Sequence, residues 1–194
     1  PIFFTAYKSL KSWKGDAQAF EFAKKEIPAE KLDSTSWLMI DSEAYDLLWS
    51  LYPKPEDTKH PEWIWLMRAI AAVKTGDKSH QQELTKYYDQ HKTLPEEIQA
   101  RYLLGMISEK EFLANAKDPR SRSDISYYIG LKAQSEGRYM DASDWYRVCK
   151  EADQYKSPIP YGATGPHFWA ESTLYNWTKE KKTLAQIQAD ATHH

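Results

Sequence analysis

The chain has 194 residues, 41% hydrophobic and 28% charged, with a mean hydropathy of −0.75. That length suits one domain with a sizeable core or one compact solenoid, and no apolar run approaches the roughly 20 residues of a membrane span. The 26 Lys and Arg nearly cancel 28 Asp and Glu, leaving a net charge of −2, so there is no basic field for nucleic acid, and the single Cys149 excludes an internal disulfide and a thiolate zinc site.

Helical periodicity dominates, and no stretch alternates with period two. The pattern predicts helices over 2–13, 17–27, 34–52, 61–75, 78–91, 95–107, 109–117, 122–136, 139–152, 166–178 and 183–190. Prolines 61, 95 and 166 stand where helices begin, a position that needs no backbone N–H. Glu96 and Glu97 then place negative charge at a positive helix end. The run WIWLMRAIAAV (63–73) is the longest apolar-rich piece and is interrupted by Arg68. Most connections are short, which predicts antiparallel hairpins. The loop PKPEDTKH (53–60) divides a divergent N-terminal helical region, 1–60, from helical hairpins with C-terminal capping helices over 61–194, in one continuous solenoid. A second long loop, SPIPYGATGP (157–166), is rich in Pro and Gly.

The stretch SYYIGLKAQSEGRYMDASDWYRVCKEA (126–152) reads as two helices with a tight turn. Gly130 and Ala133 lie on one face of the first helix, and Ala142 supplies a facing small residue on the second, as a close helix crossing requires. Gly137 ends the first helix, since it takes a left-handed conformation without steric cost. Tyr146 and Cys149 continue the buried stripe.

This arrangement resembles the tetratricopeptide repeat, W-x2-L-G-x2-Y…A-x3-F…P, with Ser126, Ile129, Gly130, Ala133, Ala142, Tyr146 and Gln154 at the signature positions. The leading Trp and closing Pro are absent. RYLLGMISEKEFLANA (101–116) places Leu104-Gly105 as the counterpart of Ile129-Gly130, and Ser108 to Glu111 form a capping box. WLMRAIAAVKTGD (65–77) has Trp65, Ala69, Ala72 and Gly76 at the family's spacing, although Gln81 and Gln82 of its second helix are off-pattern. WKGDAQAFEFAKK (13–25) is a fainter case. The resemblance covers about residues 61–152 and is similar to bacterial members, including lipoproteins of the NlpI type. It implies an all-α fold, a right-handed superhelix of about five antiparallel hairpins.

No motif for a metalloprotease, a serine nucleophile or a phosphate loop is present; Gly162 to Gly165 lack the lysine of the last. His60, His80, His91 and His167 have no metal-ligand spacing on one helix face. Adjacent Glu96 and Glu97 point apart and cannot form an acid/base pair. Cys149 reads as a core thiol. The expectation is a non-enzymatic protein-interaction or scaffold module with no cofactor and no metal.

The family's inward positions, carried over by register, are Trp63, Leu66 and Ile70, then Gln99, Tyr102 and Met106, then Asp124, Tyr127, Leu131 and Gln134. These aromatic and apolar residues argue against a carboxylate clamp and imply an apolar or amphipathic peptide partner in a concave groove. The same residues are equally open to cover by the protein's own terminal helices. The alternatives are a structural subunit that forms a homodimer through this face, and an all-α cell-wall hydrolase using some of the 8 Trp residues as sugar platforms. A chain starting at Pro1 without Met reads as processed, and with the lipoprotein resemblance this favours an exported, membrane-tethered protein over a cytoplasmic one.

Overall fold

The computed structural model describes residues 2–27, 32–91, 97–152 and 166–179. These residues hold eleven α-helices and no strand: α1 (Ile2–Lys14), α2 (Asp16–Glu26), α3 (Leu32–Asp41), α4 (Leu47–Ser50), α5 (Pro61–Thr75), α6 (Lys78–Gln90), α7 (Glu97–Leu103), α8 (Glu109–Leu113), α9 (Pro119–Ser135), α10 (Tyr139–Ala152) and α11 (Pro166–Lys179). The protein is all-α, as its periodicity predicts. The helix expected over 183–190 lies outside the described residues.

Successive helices pair as hairpins, and from α5 onward each new first helix packs on both helices of the hairpin before it. Thus α5 touches α3 and α4, α7 touches α5 and α6, α9 touches α7 and α8, and α11 touches α9 and α10. The first helices form a row, α3-α5-α7-α9-α11. That row is deeply covered: every residue of α5 from Ile64 to Val73 is buried.

Four helices end in the same hydrogen-bond pattern. After α5, α7 and α9 the terminating residue is a left-handed glycine: Gly76 (φ 69°), Gly105 (φ 75°) and Gly137 (φ 76°). The following N–H reaches back five residues, from Asp77 to Ala72 O, Met106 to Arg101 O and Arg138 to Ala133 O, so carbonyls that the helix leaves unpaired are satisfied. The fourth case overturns the expected helix over 34–52. Here Glu43 is left-handed (φ 53°) and Ala44 N–H bonds to Met39 O, which ends α3 at Asp41. Without a glycine, nothing local announces the break. A tertiary contact secures it: Asp46 accepts hydrogen bonds of 2.6 Å from both Tyr7 Oη and Lys11 Nζ of α1.

The short α7 and α8 replace the longer helices expected over 95–107 and 109–117. The cause at the first is Gly105, and it corrects the register. Gly105 is the counterpart of Gly76 and Gly137, not of Gly130, which is mid-helix in α9. The capping box forms as read, with Glu111 N–H donating to Ser108 Oγ and Ser108 N–H to Glu111 Oε2. Off-pattern Gln81 also has a role: its Nε2 donates to Ala72 O, at the end of α5.

Gly130 sits where α9 and α10 touch. A Cβ there would stand 2.7 Å from Tyr146 Cδ1 and Cε1 and 3.3 Å from Ala142 O. Arg68, the charge inside the apolar run, is buried and donates to the carbonyls of Leu48 in α4 and of Tyr52 just past it. Its guanidinium lies over the Trp49 and Trp65 rings, at 5.5 Å and 4.8 Å. A buried charge is tolerable there because hydrogen-bond acceptors and aromatic faces surround it.

Candidate functional site

With Gly105 aligned on Gly76 and Gly137, the ten inward candidates fall into sets. Ile70, Gln99 and Leu131 each stand six residues before their left-handed glycine (76, 105 and 137), and Leu66 and Tyr127 stand ten before theirs. Leu66, Ile70, Tyr127 and Leu131 are buried, and Gln99 is half-buried with its Oε1 enclosed and unpartnered. The chain's own side chains therefore cover the centre of the row.

Tyr102 and Gln134 each stand three residues before the glycine and engage the second helix of their own hairpin. The Tyr102 ring stacks on Phe112 of α8 at 4.4 Å, and its hydroxyl donates to Glu109. Gln134 Oε1 accepts a 2.6 Å hydrogen bond from Tyr146 Oη of α10. Met106 follows Gly105 and lies past the end of α7, so the register that put it on an inner helix face is corrected. Trp63 and Asp124, near the starts of α5 and α9, stay half-exposed.

Three aromatic residues that the repeat register did not single out organise this region. Trp37 of α3 stacks on Trp169 of α11 with ring centroids 5.2 Å apart, so the two ends of the row meet. Trp63 abuts Trp37 edge-on at 6.5 Å and is stacked on His60 at 4.4 Å. Trp169 continues to Tyr127 at 5.4 Å and Tyr127 to Tyr146 at 5.9 Å. Tyr146 in turn meets Trp177 at 5.9 Å. The visible signal for this path was the high Trp and Tyr content, together with the i, i+8 spacing of Trp169 and Trp177. Which rings would meet is a matter of tertiary structure.

The centre of this path is polar in an unsatisfied way. Tyr127 Oη and Trp169 Nε1 are both buried and have no hydrogen-bond partner. Burial pushes the Tyr127 hydroxyl well above its ordinary pKa, so it stays protonated and can donate. Asp41, which ends α3, likewise has an enclosed Oδ1 without a partner, and burial raises its carboxyl to about 6 despite nearby Lys74.

Compared with family models, curated proteins and solved structures, the chain matches none. The site is therefore read on its own chemistry. His80 is stacked on Trp49 at 4.0 Å and paired with Asp77, and His91 is stacked on Tyr87 at 4.2 Å. Glu97 is buried against Arg101 Nη1 at 2.9 Å. Among the described residues, no group of three or more His, Cys, Asp or Glu is placed to hold a metal, and no helix is long and apolar enough to cross a membrane.

Proposed function

We propose that this chain is a non-enzymatic protein-interaction module of tetratricopeptide type, its hairpins following a right-handed superhelix. The observation that supports this reading is the packing of α5, α7, α9 and α11, each of which seats on both helices of the hairpin before it. A stack built this way adds one layer per hairpin, and because its own side chains cover the centre of the row of first helices, a ligand would meet that row at its edge. The ligand chemistry follows from the rings at the edge of the row. Half-exposed Trp63, backed by Trp37 and His60, favours an amphipathic helix carrying an apolar stripe.

The test is selection of a displayed library of 20-residue segments on the immobilised chain. Enrichment of amphipathic helices that bind at least tenfold more weakly to a Trp63→Ala variant supports the reading. No enrichment, or equal binding to Trp63→Ala, overturns it. A concentration-dependent dimer in light scattering that dissociates in Trp63→Ala would transfer this face to a second copy of the chain.

A further inference from the structure

Helix α1 is apolar on two sides, and the chain itself covers one of them. Phe4 and Tyr7 are buried, with Phe3 and Leu10 packed beside them against the core. On the opposite side Ile2, Ala6, Ser9 and Trp13 are all exposed. Ile2 is 87% exposed and Trp13 77%, the two highest values for a large apolar side chain among the described residues. Every other tryptophan is buried or half-buried, so Trp13 stands apart from the rest of the chain's aromatic packing.

Helix geometry sets the four exposed residues in one line. At about 100° per residue they fall within roughly 60° of arc, and Ile2 and Trp13 stand about 16 Å apart along the axis. Their spacing, four residues then three then four, is that of a coiled-coil seam. The seam also reads the same in both directions: large, small, small, large. Two copies of α1 laid antiparallel about a twofold axis between Ala6 and Ser9 set each Ile2 against the other copy's Trp13. The same register sets Ala6 against Ser9. An isologous interface requires this reciprocity, in which one residue meets a second and the second meets the first. The small central pair lets the two helix axes come close while each indole lies over an aliphatic side chain.

Charge does not oppose the pairing. Lys8, Lys11 and Lys14 lie about 110° or more from the centre of the seam. Lys8 pairs with Glu43 at 3.6 Å and Lys11 with Asp46 at 2.6 Å in the same chain. Lys14 Nζ lies over the Trp13 ring at 3.8 Å and still leaves that ring exposed.

We propose that the outer face of α1 is a twofold interface with a second copy of this chain. One pair of short helices buries less than a standard interface of about 1,600 Å², so the dimer is weak, with a dissociation constant on the order of 0.1 mM. The interface is separate from the Trp63 edge and does not rest on the reading of that edge.

The experiment is sedimentation velocity on the full chain between about 10 μM and 1 mM, a range that brackets such a constant. The parent should shift from monomer to dimer across it. Ile2→Glu and Trp13→Lys should each weaken self-association at least tenfold, as loss of a central anchor does. Both substitutions place a charge at the end of α1 whose dipole favours it, so the helix itself is not weakened and thermal midpoints should stay near the parent's. A 1:1 mixture of the two variants should dimerise again. In the antiparallel register the new glutamate of one chain faces the new lysine of the other, and the second Ile2–Trp13 contact is intact. Side-by-side parallel helices would give no such rescue.

A chain that stays monomeric throughout the range overturns the proposal. So does a dimer that tolerates either single variant, or a mixture that fails to recover. A dimer that dissociates only in Trp63→Ala moves self-association to the other face and equally overturns it. A monomer that instead pellets with phosphatidylglycerol vesicles, and loses this in Trp13→Lys, gives the face to a lipid surface and has the same result.

Discussion

The hairpins α7–α8 and α9–α10 each carry a glycine directly after a large aliphatic residue, Leu104-Gly105 in one and Ile129-Gly130 in the other. The two glycines do opposite work. Gly105 is left-handed, ends its helix, and has only Lys132 Nζ within reach of an added Cβ, at 3.8 Å. Gly130 is in the middle of α9, and its missing side chain is what lets the Tyr146 ring approach. One glycine is required by backbone conformation and the other by volume. The contrast explains why equal spacing to a preceding aliphatic residue misplaced the register of α7.

The largest break of this contrast is Gly130→Leu. A branched side chain has to displace Tyr146, whose hydroxyl is tied to Gln134, and overpacking a tight contact costs about 3 kcal/mol. The melting midpoint should fall by about 6–12 °C for a chain of this size. Gly130→Ala should lose about 1–2 kcal/mol despite alanine's better helix propensity, because the neighbour it meets is a fixed ring. A thermal scan in which Gly130→Ala melts above the parent would show that Tyr146 gives way freely.

Gly105→Ala comes next, at about 1–2 kcal/mol, since its cost lies in the left-handed backbone and not in a clash. Asparagine separates the two cases. Gly105→Asn should recover much of the loss, because Asn tolerates that conformation, whereas Gly130→Asn should not. Denaturant midpoints for the four variants give the comparison directly, and equal behaviour of the two Asn variants would erase the distinction.

Asp41 tests the other end of the row. Its carboxyl is raised to about 6 by burial, so the folded state holds the proton more tightly than the unfolded chain does. This contribution to stability is fully present below about pH 4 and is lost as pH rises toward 6. Asp41→Asn should therefore stabilise the protein by about 1 kcal/mol at pH 7, allowing for solvent screening, and by much less at pH 4. Urea titrations of parent and variant at both pH values would expose a wrong sign.

The smallest effect sharpens the comparison by adding a third site. Glu43 occupies the left-handed position that Gly76, Gly105 and Gly137 occupy elsewhere. Glu43→Gly should gain about 0.5–1 kcal/mol, minus a few tenths for its exposed 3.6 Å pair with Lys8. A loss of stability would mean that the Lys8 contact holds the α3–α4 break more firmly than backbone strain opposes it.

The sequence by itself determined the helical class, the hairpin spacing and most helix boundaries. Those features are local: proline at first turns, glycine after last turns, the capping box at Ser108 and the 3.6-residue apolar period act through residues a few positions apart. It also located the close approach at Gly130, because small residues facing each other across a short turn leave few other uses. Only the tertiary structure decided where α3 stops, since a glutamate in a left-handed conformation is held there by Asp46 and its partners 35 and 39 residues away in α1. Tertiary structure alone likewise decided that the expected inner face is covered. Trp37 and Trp169 lie far apart in the chain and meet only because successive hairpins bring the two ends of the row together. Aromatic burial is non-directional, so composition can announce that rings will pack without naming the rings they will pack against.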